Sequence, residues 1–194
     1  MFQEPSSLII RYPKHRVFTN DELLELSSLN KDLRFERSLE GNLVVMTPTG
    51  GKSSQRNAEL TSQLFIWAKE DGKGVVFDSS GGFHLPNGAI RSPDACWIAN
   101  ERLDKLTDEE LVEYPPLCPE FVIELRSASD PLQETQAKMR EYIENGAKLG
   151  WLIDTEEKKV HAYTPNGVEI LDNPEKVSAL DLLKGFELDL LEVW

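Results

Sequence analysis

The chain has 194 residues, 40% of them hydrophobic and 28% charged, which suits one soluble globular domain with a full core. A formal net charge of −13 argues against a nonspecific grip on nucleic acid or on anionic membrane, since both rely on positive surface. No apolar run is long enough to cross a bilayer, and no basic segment followed by a long apolar stretch opens the chain as a secretory signal would. Cys96 and Cys118 form no CxxC pair and no disulfide framework, so a reducing cytoplasm is expected.

The charge is uneven. Residues 1–56 carry eight Lys/Arg against seven Asp/Glu, and the remainder carries thirteen against twenty-seven. A nucleic-acid face therefore has to draw on Arg11, Lys14, Arg16, Lys31, Arg34, Arg37, Lys52 and Arg56, although scattered surface charge accounts for most of these more simply.

In chain order, Thr19-Asn-Asp-Glu22 has the form of a capping box and is followed by Leu23, Leu24 and Leu26, which predicts a short helix to about Leu29. Leu33 to Pro48 reads as a hairpin around Glu40-Gly41-Asn42. TPTGGKSS is predicted as a loop. A helix follows from about Gln55 to Glu70, with Leu60, Leu64 and Ala68 on one stripe, Phe65 and Trp67 widening it, and Glu59 and Gln63 on a polar ridge. GVVFDSS is a short strand, a second hairpin turns at Pro86-Asn87-Gly88, and DACWIAN is the next strand. ERLDKLTDEELVEYPPLCP is an acidic excursion with a short exposed helix.

EFVIELRS is the clearest strand, apolar and β-branched before Glu124. A helix then starts with Ser129 or Asp130 as N-cap and Pro131 at its first position, and Gly146 stops it. LGWLID is a buried strand, a third hairpin turns at Pro165-Asn166-Gly167, and leucine-rich short strands end the chain. No repeat or low-complexity linker interrupts this order, which is that of one mixed α/β or α+β domain.

Four ionisable groups sit at the ends of these elements. Asp94 opens a core strand, Glu124 lies late in the next, Glu59 is on the long helix before them, and Lys138 is on the helix after. Ionised carboxylates are seldom buried unless paired or holding a metal. Two carboxylates from adjacent strands repel, and a divalent cation relieves this; oxygen ligands suit Mg2+ or Mn2+. Each residue also has a plain reading. Asp94 can cap a turn after Pro93, Glu124 can pair with Arg126, Glu59 can be solvated, and Lys138 can pair with Glu134 or Glu141. Asp78 can reach the site or end a strand in a turn.

The stretches MTPTGGKSSQRNAEL, GVVFDSSGGFHLPNGAIRSPDACWIAN, CPEFVIELRSASDPL, KMREYIENGAKLGWLID and VHAYTPNG together resemble the Uma2 family, also called DUF820, which is common in cyanobacteria. The resemblance runs from about Thr19 to the C-terminus. It implies a restriction-endonuclease-like α/β (α+β) core of the PD-(D/E)XK type: a mixed central β-sheet flanked by helices, here with additional N-terminal and C-terminal hairpins, in one domain over residues 1–194 with 1–18 as an extension.

It also implies a divalent metal, Mg2+ or Mn2+, and hydrolysis of nucleic-acid phosphodiesters, with DNA the expected partner. Pro93-Asp94 matches the PD and Glu124 the (D/E), and Glu59 matches the acidic residue on the first core helix. Arg126 stands where the superfamily has lysine, so Lys138 on the following helix is the candidate for that role, with Arg126 and Asp78 as possible auxiliaries. The resemblance thus implies Asp94, Glu124 and the Leu125 carbonyl as metal ligands.

GGKSS is not a phosphate loop, because Met46 stands where that motif needs glycine. His15, His84 and His161 have no metal spacing, and Cys96 reads as core. The rivals to a nuclease are a nucleic-acid-binding or regulatory module that lost the reaction, and a self-associating domain whose exposed C-terminal strands and Trp194 seed a homodimer.

Overall fold

The computed structural model describes residues 7–11 and 17–194; Lys14, His15 and Arg16 lie outside the described residues. The first third contains β1 (Ser7–Ile10), α1 (Asn20–Leu29), β2 (Arg34–Arg37), β3 (Leu43–Met46) and α2 (Gly51–Asp71). Next come β4 (Gly74–Asp78), β5 (Phe83–His84), β6 (Ile90–Arg91), β7 (Ala95–Ala99), α3 (Asn100–Leu103) and α4 (Asp108–Val112). The last third contains β8 (Phe121–Arg126), α5 (Leu132–Glu144), β9 (Leu149–Asp154), β10 (Lys159–Thr164), β11 (Gly167–Asp172), β12 (Lys176–Ser178) and β13 (Glu187–Asp189).

The central sheet has the order β11-β10-β9-β8-β7-β4. It is mixed: β8 and β9 pair in parallel through the α5 crossover, and the other neighbours are antiparallel. Because side chains alternate along a strand, odd-numbered residues of β7 and β8 (Trp97, Phe121, Ile123) face α2 and the C-terminal segment. Even-numbered ones (Cys96, Val122) join Leu152 in packing against Met139 and Tyr142 of α5. A second sheet, β1-β3-β2-β6-β5, lies beside α1 and carries a small core of Leu23, Phe35, Leu43 and Ile90. This is the mixed α+β architecture expected from the sequence, with a flanked central sheet.

Several local expectations shift. α2 starts at Gly51 with Gly50 as N-cap, so the second half of the predicted loop forms the helix's first turn. Phe65 is 46% exposed and off the core stripe, because it stands a further 100° around the helix from Leu64. The acidic excursion holds two helices, and Thr107 caps the second with a capping box. Pro131, not Ser129 or Asp130, is the N-cap of α5; the Asp130 carboxylate instead accepts the Ser127 N–H in the preceding turn. The C-terminal strands are not an exposed flap: Val177, Leu188, Leu190 and Val193 are buried in the core under α2, and Trp194 donates to the Pro174 carbonyl. No helix among the described residues is long and apolar enough to cross a membrane.

Candidate active site

The antiparallel pairing of β7 with β8 ends at Ala95–Ile123. Beyond that point the edge of β8 is bare, and the N–H of Leu125 has lost its ladder partner. Asp94, the residue before β7, supplies it: Oδ2 accepts the Leu125 N–H at 2.8 Å. The carbonyl of Leu125 lies on this same edge of the strand, because the N–H and C=O of one residue point the same way in a ladder. Asn57, from the first turns of α2, donates to the other Asp94 oxygen at 3.2 Å. Burial pushes the Asp94 carboxyl up, and the Leu125 amide and the nearby Lys138 charge only partly offset this.

Glu124 is an even-numbered residue of β8 and therefore faces α5. Lys138 and Tyr142, one turn apart on that helix, meet it together. Lys138 Nζ lies 2.8 Å from Glu124 Oε1, and Tyr142 Oη donates to the same oxygen at 2.9 Å. Lys138 also bridges to Glu36 Oε1 at 2.9 Å and donates to the Ser92 carbonyl at 3.4 Å, so all three ammonium protons have acceptors. Glu36, on β2, takes the Ser92 N–H at 2.8 Å and Arg91 Nη1 at 3.0 Å. Arg91 continues the chain to Glu141 at 2.6 Å.

These charges are not equivalent. Burial raises the Glu36 carboxyl, but Lys138, Arg91 and the Ser92 amide more than offset this and hold it at about 2. Burial dominates at Glu124, where Lys138 lowers the carboxyl but Asp94 and Glu36 raise it, leaving it at about 7. Burial alone would lower the Lys138 ammonium, yet its two carboxylates hold it charged, above the ordinary lysine range. The result is one fixed anion, one fixed cation and one carboxyl poised near neutrality, all lining a cleft of about 690 Å³ with Asp94 and Leu125.

Of the expected site residues, Asp94, Glu124, Leu125 and Lys138 come together. Glu59 does not. It is 200° around α2 from Asn57, and its carboxylate accepts from Gln63, which in turn grips both the N–H and C=O of Asp189. Arg126 does not pair with Glu124: consecutive even positions share a face, but its guanidinium reaches across to buried Asp154 at 2.8 Å and to the Asp130 carbonyl. Asp78 is exposed and accepts from Ser80, so it ends its strand in a turn. Arg37, offered as part of a basic face, is buried and donates to the carbonyls of Phe18 and Gly88.

Asn57, at the start of α2, stands where the sequence allows a residue to reach a phosphate, and it meets Asp94; the sequence does not single out Glu36, Arg91 or Tyr142 for the site. The one available signal was Arg34 and Glu36 alternating with apolar residues on a strand, which reads as solvated surface unless something covers that face.

The Uma2 family profile, described as "Putative restriction endonuclease", matches residues 20–191. No curated protein matches the chain. A crystal structure described as "a putative nuclease belonging to DUF820 from Anabaena variabilis ATCC 29413" is 20% identical and superposes with a TM-score of 0.73, over 91% of this chain and 97% of that one. At that identity the likeness is one of fold, and the fold is shared nearly end to end. With the family profile spanning all but the ends of the sequence, this chain belongs to the Uma2 family.

Proposed function

We propose that the protein is a metal-dependent nuclease that hydrolyses phosphodiester bonds of nucleic acid, DNA in the first instance, in the cleft holding Asp94, Glu124 and Lys138. The observation that carries this reading is their convergence: a strand-opening aspartate, a mid-strand glutamate and a helical lysine meet at one break in the β7–β8 ladder.

The donors fit Mg2+ or Mn2+. Asp94, Glu124 and the Leu125 carbonyl offer only oxygen, as hard cations require. Asn57 Oδ1, on the side chain that touches Asp94, is buried without a hydrogen-bond partner, an acceptor that calls for an electropositive neighbour. Among the described residues no group of three or more His, Cys, Asp or Glu converges on one point. The protein therefore supplies part of the coordination and leaves the rest to water and phosphate oxygens, as Mg2+ usually demands. When bound, such a cation acidifies water and neutralises phosphate charge.

The chain's own residues prepare that chemistry. The Leu125 amide and Asn57 fix the Asp94 rotamer. Tyr142 and Lys138 engage Glu124 through Oε1, which leaves Oε2 for the cleft. Lys138 is held against Glu124 by Glu36, so its charge is in place to stabilise the phosphate as negative charge grows there, without reorganisation.

Calorimetric titration with Mn2+ tests the site: the wild type binds and Asp94→Ala loses binding. Plasmid nicking that disappears in both Glu124→Ala and Lys138→Ala supports the reaction, and nicking that survives Glu124→Ala sinks it.

A second reading, a nucleic-acid-binding module that has lost the reaction, has one observation in its favour. Lys138 is fully committed to Glu124, Glu36 and Ser92 in the protein alone. Binding of DNA without metal-dependent nicking selects it.

A further inference from the structure

We infer that a second groove, running along the outer face of α2 and opening into the active-site cleft, receives a single-stranded segment of nucleic acid, with Arg34 holding a phosphate and Phe65 stacking a base. This rests on the nucleic-acid reading above and names the form of the substrate.

The groove encloses about 640 Å³. Arg34, Thr49 and Asn57 line both it and the active-site cleft, and Asn57 is the residue that touches Asp94. A strand with one phosphate at Asp94 and Glu124 therefore has a continuous path along α2.

The chemistry of the groove suits a sugar–phosphate backbone. Ser54, Thr61 and Ser62 line it with hydroxyls, which bond phosphate and sugar oxygens without adding net charge. Asp78 is the only carboxylate among its described lining residues, and Ser80 engages it through both its N–H and its hydroxyl. On the α5 side of the active-site cleft, by contrast, two exposed glutamates, Glu134 and Glu144, outnumber the exposed Arg140 between them. In a chain of net charge −13, the groove along α2 sets a single carboxylate, Asp78, and the cation of Arg34 in the path of backbone phosphates.

Arg34 anchors the path. Its Nη1 donates to the Ser79 carbonyl at 2.7 Å and it forms no ion pair among the described residues; its charge acts on the Asp94 carboxyl only through space, so a neutral group positions the guanidinium and leaves it open to a phosphate. At the other end, Phe65 presents a large ring on the solvent face of a helix, where the core gives it no role. Lys69 Nζ lies 5.1 Å from its ring centroid, which restrains the ring and adds a cation beside it. From Asn57 to Phe65 is about 12 Å along the helix axis. A polar track ending in an exposed aromatic ring is how single strands are held without sequence readout. In a duplex the base faces are already stacked and cannot reach such a ring.

The test is fluorescence anisotropy with a short fluorescein-labelled oligo(dT) in EDTA, which keeps cleavage out of the measurement. Phe65→Ala is expected to weaken binding about tenfold, within the range for one stacked base, and Phe65→Trp to restore it. Arg34→Gln is expected to lower the slope of log affinity against log salt by about 0.7, the value for one phosphate contact on a single strand. Ile66→Ala, the exposed neighbour outside the groove, serves as control and should bind as wild type.

Equal binding by wild type and Phe65→Ala overturns the inference, as does an equal loss in Ile66→Ala or an equal effect on a blunt duplex. No binding of oligo(dT) at all also overturns it. The two proposals fail separately. Metal-dependent nicking with Phe65-independent binding removes only the groove, whereas Phe65-dependent binding without nicking removes only the nuclease.

Discussion

Glu36→Gln is the most informative single change, because it removes one charge from the buried network while keeping nearly the same shape. Glu36 is 2% exposed and meets Lys138, Arg91 and the Ser92 amide. Its carboxyl is lowered from 4.5 to about 2. At about 1.4 kcal/mol per unit, that difference corresponds to about 3 kcal/mol of stability. The sign follows from the direction of the shift. A carboxyl whose folded pKa is depressed stabilises the fold above its unfolded value, and loses this as pH falls through the folded one.

Urea unfolding of wild type and Glu36→Gln across the acid range reads the effect directly. The variant should be less stable by about 3 kcal/mol at neutral pH, and the gap should close between about pH 4.5 and about pH 2. The difference between the curves isolates Glu36 from the other carboxylates that titrate in the same range. A gap that stays constant with pH would refute the reasoning, because Glu36 would then contribute shape and not charge. Lys138 would also be left facing Glu124 alone, so the Glu124 carboxyl should fall from about 7 in the variant, measurable by NMR titration of its side-chain carbon.

Arg126→Ala leaves Asp154, which has no exposed surface, as a buried carboxylate without its cation, and should cost about 3–5 kcal/mol in unfolding free energy; a loss below about 1 kcal/mol would mean the pair contributes little. Glu59→Ala should bind Mn2+ in calorimetry as tightly as wild type, since its carboxylate is turned to Gln63 and away from Asp94. Gly74→Ala places a Cβ against the Trp97 ring and the Ile98 carbonyl on the adjoining strand, so its melting temperature should fall, by an amount equivalent to roughly 1–3 kcal/mol. An unchanged melting temperature would mean that β4 can slide away from β7 at no cost.

The elements whose signals are local were legible in the chain. The capping box at Thr19 starts a helix there, the hairpins turn at Gly41 and at Asn87-Gly88, and the apolar run of β8 is a buried strand, because capping, turn chemistry and side-chain period act within a few residues. Asp94 and Glu124 stood out for the same reason, as carboxylates in otherwise apolar strand sequence.

What the chain could not contain was the choice of partners. Lys138 had Glu134 and Glu141 within reach on its own helix, yet it bonds Glu124 and Glu36 on two different sheets. Glu59 and Asn57 are two residues apart, and only the rotation of α2 against the central sheet decides that Asn57 meets Asp94. Glu36 reads as a surface residue until α5 and the Arg91 strand close over it. A buried charge takes whichever opposite charge the packed elements bring within hydrogen-bonding distance. That distance is fixed by the crossover of β8, α5 and β9 and by the contact between the two sheets, so the sequence determined which residues could do chemistry and the tertiary structure decided which of them meet.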